Sequence, residues 1–377
     1  MPKKGNLREV ASVFFKLGCF AFGGPAAHIA MMEKEIIQKR KWMTQQHFLD
    51  LMGATNLIPG PNSTEMTMHC GHERAGTLGL FVAGACFIFP AVVITGILAW
   101  LYVQYGQLPE VLPFIYGIKP AVLAIIAAAI LKLGKKALKG WELAILGILV
   151  LIACFNGVNE ILALLGGGLL GTIYFYIKSK PQPQLPKSIA PFLLFQIPSL
   201  IGTKVTATGV FLTFLKVGAI LYGSGYVLFA YLDSELVGAG WLTRQELIDA
   251  IAVGQFTPGP VLSTSTFVGY QLAGFWGAIA ATLGIFLPSF LFVLILNPLV
   301  PKMRKSIVLG YFLDSVNVAA VALMIAVLID MSITSLTDWK TILIATISVL
   351  LTFGIKKLSP MWIIAGGAVL GYFLTLI

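Results

Sequence analysis

The sequence predicts an all-α polytopic membrane protein. It is made of two inverted-topology repeats, with about ten transmembrane helices and with Pro-Gly-Pro-broken or re-entrant helices in each half. Three observations predict this. Hydrophobic residues make up 58% of the 377 and charged residues only 11%, against about a quarter charged in a soluble domain; the mean hydropathy is +0.89. The first half also recurs about 200 residues later: Phe14-Phe15-Lys16-Leu17-Gly18 returns as Phe214-Leu215-Lys216-Val217-Gly218, and Pro59-Gly60-Pro61 as Pro258-Gly259-Pro260. Trp42, Thr44 and Asp50 likewise return as Trp241, Thr243 and Asp249. Finally, matched loops of the two copies carry opposite charge bias, which by the positive-inside rule inserts the copies in opposite orientations.

The chain divides into a first repeat, 1–177, a linker, 178–204, and a second repeat, 205–377. Apolar runs at about 77–104, 112–131, 141–156 and 160–177 approach the roughly 20 residues that span hydrocarbon. Their counterparts are about 276–297, 307–329, 340–355 and 361–377. Gly166-Gly167 and Gly366-Gly367 lie inside these runs, where small residues let helices approach closely. Two further segments open each half. The first, 10–31, is interrupted by Gly23-Gly24-Pro25 and answered by 208–232 with Gly223-Ser224-Gly225; the second, 45–70, is broken at Pro59-Gly60-Pro61 and answered by 244–270.

Loop charges give the orientation. Lys132, Lys135, Lys136 and Lys139 follow one span, whereas the matched loop holds Asp330, Asp338 and Lys340. Loop 105–111 has no Lys or Arg, but its counterpart carries Lys302, Arg304 and Lys305. Lys34, Lys39, Arg40 and Lys41 are answered by Asp233, Glu235, Glu246 and Asp249 with Arg244. Inversion needs an odd number of crossings per repeat. The economical solution lets 10–31 cross, folds 45–70 as a re-entrant hairpin, keeps the linker cytoplasmic and places both termini outside. Lys3, Lys4 and Arg8 speak against that N-terminus. The alternative makes 10–31 the hairpin and lets 189–203 cross.

Several function classes drop out. The net charge of +10 resides in short loops, so it is a topology signal and not a nucleic-acid surface. Cys19, Cys70, Cys86 and Cys154 have no metal-ligand spacing. No nucleotide-binding glycine loop, cofactor motif or catalytic constellation appears, so an enzyme is not expected.

The chemistry is expected at the breaks. Each Pro lacks an N–H and the Gly has no Cβ, so Pro-Gly-Pro interrupts a helix. Backbone groups freed at membrane depth persist only where protein or a water-filled cavity satisfies them. Hydroxyls follow each break, and a helix restarting there turns its amides and positive dipole end toward an oxyanion. The substrate-binding candidates are Pro59, Gly60, Pro61, Asn62, Ser63 and Thr64, with Pro258, Gly259, Pro260, Ser263 and Thr264. Gly23 and Gly24 of the first interruption join them, as do Asn56 and Gln255, which precede the breaks at matched positions. Lys16 and Lys216 are matched intramembrane cations, expected at a midplane site. Glu65, Glu73 and Arg74 occur in the first half only and are coupling candidates; His28, His69 and His72 are candidates for pH sensing. Lys119 is a weaker anion-site candidate.

The combination of Phe22-Gly23-Gly24-Pro25, Trp42-x-Thr44 and Pro59-Gly60-Pro61-Asn62-Ser63 resembles the chromate ion transporter (CHR) family. The echo Tyr222-Gly223-Ser224-Gly225 with Pro258-Gly259-Pro260 fits its two-domain form, although Ser224 and Gly225 replace Gly24 and Pro25. The resemblance implies a secondary transporter of the cytoplasmic (inner) membrane that exports chromate, with sulfate as a related anion. It implies an oxyanion substrate and the bilayer as partners, with a homodimer one open assembly state. A dianion leaving a negative interior gains about 4.6 kcal/mol per 100 mV, enough for a roughly thousandfold gradient. Membrane potential therefore suffices for export, with proton coupling as an addition. A carrier for sulfate or another anion, or a passive anion channel, is the alternative.

Overall fold

The computed structural model describes residues 6–21, 24–179, 205–222, 225–296, 306–355 and 358–376. Fourteen α-helices and no strand occur among them. The first half holds α1 (Leu7–Phe20), α2 (Gly24–Met32, continued by a π-helical stretch Glu33–Lys39), α3 (Gln45–Thr55), α4 (Asn62–Tyr105), α5 (Leu112–Ala137), α6 (Trp141–Phe155) and α7 (Glu160–Ser179). The second holds α8 (Ala207–Ile220), α9 (Leu228–Leu232, continued by a π-helical stretch Asp233–Val237), α10 (Arg244–Phe256), α11 (Thr264–Leu296), α12 (Ile307–Ser335), α13 (Trp339–Gly354) and α14 (Pro360–Thr375). Among the described residues, five helical segments are long and apolar enough to cross a membrane: Asn62–Tyr105, Leu112–Ala137, Glu160–Ser179, Val261–Ile295 and Ile307–Ser335. Large apolar side chains such as Leu283, Ile295, Leu350 and Phe373 point outward, as a lipid-facing surface requires.

Two of these long helices are hairpins. Ala75 and Gly76 leave helical geometry inside α4, and Ala273 and Gly274 do so inside α11. Gly76 and Gly274 take φ of +66° and +60°, a left-handed geometry that glycine adopts without penalty. The arms then lie against each other so closely that a Cβ on Gly71 would strike the Gly79 carbonyl, and one on Gly269 the Gly277 carbonyl. Thr266 and Thr282, on opposite arms of α11, share a hydroxyl hydrogen bond of 2.8 Å. The boundary between the expected segments 45–70 and 77–104 thus falls at a tight glycine turn.

The segment 10–31 does not run on as one crossing helix, and this corrects the preferred expectation. The chain breaks after Phe20 and restarts at Gly24, whose φ is +76°, followed by Pro25. It then returns. Glu9, in the first turn of α1, accepts hydrogen bonds from Arg40 (3.0 Å) and from the Trp42 indole (3.3 Å). Pro25 has no N–H to continue a helical ladder, so α1 cannot run through it, and the bonds to Glu9 show that the chain reverses at this break. The α3–α4 segment also doubles back at Pro-Gly-Pro: His47 Nε2 lies 3.1 Å from Glu73 Oε2, and Arg74 reaches Glu9 at 2.8 Å. The start of α1, the end of α2, the start of α3 and the first arm of α4 therefore meet at one polar end. There Lys39, helped by Arg40, holds the Glu35 carboxyl below the usual carboxylate range. The alternative expectation, a crossing at 189–203, lies outside the described residues, as does most of the linker.

The halves interleave. Gly18 of α1 packs on the Phe87 backbone of α4, and Gly218 of α8 on the Ile285 backbone of α11. Across the halves, Gly117 of α5 meets Gly367 and Gly371 of α14, while Gly168 and Gly171 of α7 seat Val316 and Ser315 of α12. Small residues buy this proximity between apolar helices. The matched helices α5 and α12 run antiparallel. Tyr116, near the start of α5, donates to Asp338 beyond the end of α12, and Lys139, beyond the end of α5, meets Asp314 near the start of α12 at 2.6 Å.

Candidate functional site

The breaks of the two halves meet one another. Gly60 donates its N–H to the Leu221 carbonyl at 2.6 Å, and Gly259 donates its N–H to the Ala21 carbonyl at 2.9 Å. Ala21 and Leu221 are the C-caps of α1 and α8. Each Pro-Gly-Pro is therefore closed by the first-helix break of the other half, satisfying amides and carbonyls that would otherwise be stranded in an apolar interior. Gly259 has φ +89°, and a Cβ there would lie 2.8 Å from Ala91 Cβ. A Cβ on Gly60 would collide with Glu65 Oε1 and Ser289 Oγ.

Polar side chains line this crossing. Ser63, Thr64, Glu65, Thr95, Ser263, Thr264, Ser265 and Ser289 are all buried. His28 bridges its parts: one ring nitrogen lies 3.1 Å from the Ala21 carbonyl and the other 3.2 Å from Ser63 Oγ. Thr95 and Ser263 link the halves at 3.3 Å. The α4 helix starts at Asn62 with Pro61 as N-cap and no side-chain cap, so its first-turn amides point into the crossing. The second helix starts through a short 3-10 turn, Val261–Ser263. Ser63 and Thr64 of the first start and Ser263 and Thr264 of the second are buried, while Asn62 is partly exposed. An apolar groove of about 510 Å³ between α4 and α11, flanked by Val92, Trp100, Tyr270 and Phe275, lies outside this polar set.

The sequence-predicted residues fall into groups. Pro59, Gly60, Pro61, Ser63, Thr64, Pro258, Gly259, Pro260, Ser263 and Thr264 are buried at or beside the crossing. Gly24 lies there too, with the Tyr226 hydroxyl 3.1 Å from where its Cβ would be; Gly23 is outside the described residues. Gln255 is buried with its Nε2 unpaired. Asn56 is exposed and joins Asn62 at 2.6 Å. The two lysines are not brought together. Lys16 is exposed, two residues and thus about 200° around the helix from Gly18, and Lys216 is held by Glu235 at 2.8 Å. Glu73 and Arg74 belong to the polar end with His47 and Glu9, away from Glu65.

A second buried cluster was not foreseen as a unit. Asp249 of α10 accepts from the Tyr102 hydroxyl of α4 at 2.7 Å, with Lys119 of α5 at 3.6 Å. Lys119 and Asp249 each carried a sequence signal but their pairing did not, because a cross-half partner has no fixed spacing to find. Ser289 was missed for the same reason.

A helix start rich in hydroxyls, repeated in two interlocked copies inside an apolar bundle, is suited to passing an anion. Known proteins agree in kind: the chromate transporter family profile matches residues 8–172 and again 208–372. The chain belongs to the chromate transporter family. It is 31% identical over 374 residues to the chromate transport protein of Cupriavidus metallidurans, spanning 97% of this chain and 92% of that one. It is 30% identical over 377 residues to a probable chromate transport protein of Synechococcus elongatus, covering 97% and 95%. An uncharacterized transporter of Bacillus subtilis, YwrB, is 28% identical over 184 residues, 47% of this chain but 92% of its own length. No solved structure matches. As a family member the chain is a multi-pass membrane transporter and not an enzyme.

Proposed function

We propose that the chain exports chromate across the cytoplasmic membrane as a secondary transporter driven by membrane potential. The repeats would sit in the bilayer with inverted topology, the Pro-Gly-Pro hairpins entering from opposite faces. The observation that carries this is the reciprocal closure of the breaks, Gly60 to Leu221 and Gly259 to Ala21. It sets two hydroxyl-rich helix starts at the junction of the halves, where transporters built from inverted repeats hold their substrates. The antiparallel run of α5 and α12 supports the inversion. Relatives bearing the name chromate transport protein support the substrate. The substrate-binding set is then the amides and hydroxyls following Pro61 and Pro260, without the lysines. Rocking of one half against the other would open the closed crossing to each side in turn.

The test is radiolabelled chromate flux in proteoliposomes under an imposed potassium-diffusion potential, with sulfate and molybdate as competitors. Saturable flux that follows the potential, stimulated by chromate on the opposite side, is expected. Flux that never saturates would instead make the chain a passive channel, and absence of chromate flux beside sulfate flux would reassign the substrate.

A further inference from the structure

We propose that Glu65 makes oxyanion binding proton-linked, because its carboxylate and the substrate compete for the same helix start. This rests on the proposed oxyanion site and names its coupling. Glu65 stands in the first turn of α4, and its side chain folds back to the break, where Oε1 occupies the space beside the Gly60 Cα. It is wholly buried. Neither carboxyl oxygen has a hydrogen-bond partner, and no Lys or Arg pairs with it among the described residues. Ser289 Oγ lies beside it without a well-aligned bond. His69 stands one turn further along the same arm, and His28 reaches the neighbouring Ser63.

The matched crossing lacks all of this. The counterpart of Glu65 is Thr264, whose hydroxyl is satisfied by the Val261 carbonyl at 2.8 Å. The counterpart of Ser289 is Ala91, whose methyl packs on Gly259. Two positions from different halves have thus become polar together at one Pro-Gly-Pro and apolar or self-satisfied at the other. An ionised Glu65 places a negative charge where the positive dipole end of the helix favours an anion, and a dianion cannot share the site with it at such close range. Wherever Glu65 is ionised, filling the site therefore takes one proton from solution onto it. The proton travels with the oxyanion, and the moving unit carries one negative charge instead of two.

The experiment measures oxyanion binding to the purified full-length protein in detergent, using chromate over a pH range in which chromate stays fully ionised. Calorimetry in two buffers of different ionisation enthalpy counts protons taken up. Above the pH at which Glu65 ionises, the wild type is expected to take up about one proton per anion and to lose affinity about tenfold per pH unit. Glu65→Gln is expected to bind with affinity independent of pH, and Glu65→Asp to restore the slope. Wild-type binding without proton uptake even at the alkaline end of the range overturns the proposal while leaving the transport reading intact. A pH slope that persists in Glu65→Gln overturns it as well. No chromate binding at all by the wild type would remove the oxyanion site and this coupling together. The proton count on the wild type decides the matter even where a variant fails to fold.

Discussion

Replacing Gly259 by Ala tests the crossing directly. The new methyl group meets two costs. At φ +89° an L-residue sits in the left-handed region, at about 1–2 kcal/mol. Its Cβ would also lie 2.8 Å from Ala91 Cβ and 3.4 Å from the Gly18 carbonyl oxygen, an overlap in a packed interior worth about 1–3 kcal/mol. The sum is about 2–5 kcal/mol. Gly274→Ala is the internal control: its φ of +60° carries the first cost, but nothing stands within 4 Å of the added Cβ. Equilibrium unfolding in mixed micelles, titrated from a mild detergent into SDS, should rank Gly259→Ala below Gly274→Ala by the overlap term. Chromate flux in proteoliposomes should fall with Gly259→Ala and survive Gly274→Ala. Equal destabilisation by the two variants would mean that Pro-Gly-Pro does not approach α1 and α4 of the other half, and the interlocked site would go with it.

Other expectations concern the polar groups around the site. Lys119→Met should destabilise the fold by about 3–5 kcal/mol, because it strips the ammonium from a buried carboxylate; adding Asp249→Asn should recover much of that loss in the same unfolding assay. Glu9→Gln removes the negative charge and one of the two acceptor oxygens that serve Arg40, Arg74 and Trp42, which should cost about 1–3 kcal/mol and make the α1–α2 fold-back more susceptible to limited proteolysis. Lys16→Ala should leave chromate flux near the wild-type level. Lys216→Ala should lower unfolding stability through Glu235 before it alters apparent affinity for chromate, and a selective rise in KM would return that lysine to the site.

Much of the architecture is written in local chemistry. Pro-Gly-Pro must interrupt a helix wherever it falls, so both central breaks are legible without coordinates. Apolar run length likewise marks the spans. The path of 10–31 is not legible, because a Gly-Gly-Pro break can kink a crossing helix or reverse it. What decides is Glu9, which gathers Arg40, Arg74 and Trp42 from as far as 65 residues away. The lysines mislead for a related reason. Repetition shows that Lys16 and Lys216 occupy equivalent positions, but helical phase, which two residues suffice to invert, sets the direction each one faces. Glu65 was visible as an asymmetry, but its meaning depends on Ser289, which only the tertiary fold brings beside Gly60.

The reciprocal bonds between breaks and carbonyls also constrain how this chain can be divided. An isolated half would leave its glycine N–H without the carbonyl that closes it, and would lose the bond its own C-cap carbonyl accepts from the other half. Two half-length polypeptides made separately would complete the centre only by meeting head to tail, each lending the other its missing bond. The clasp is mutual, so neither repeat is a spare copy: losing either one opens both.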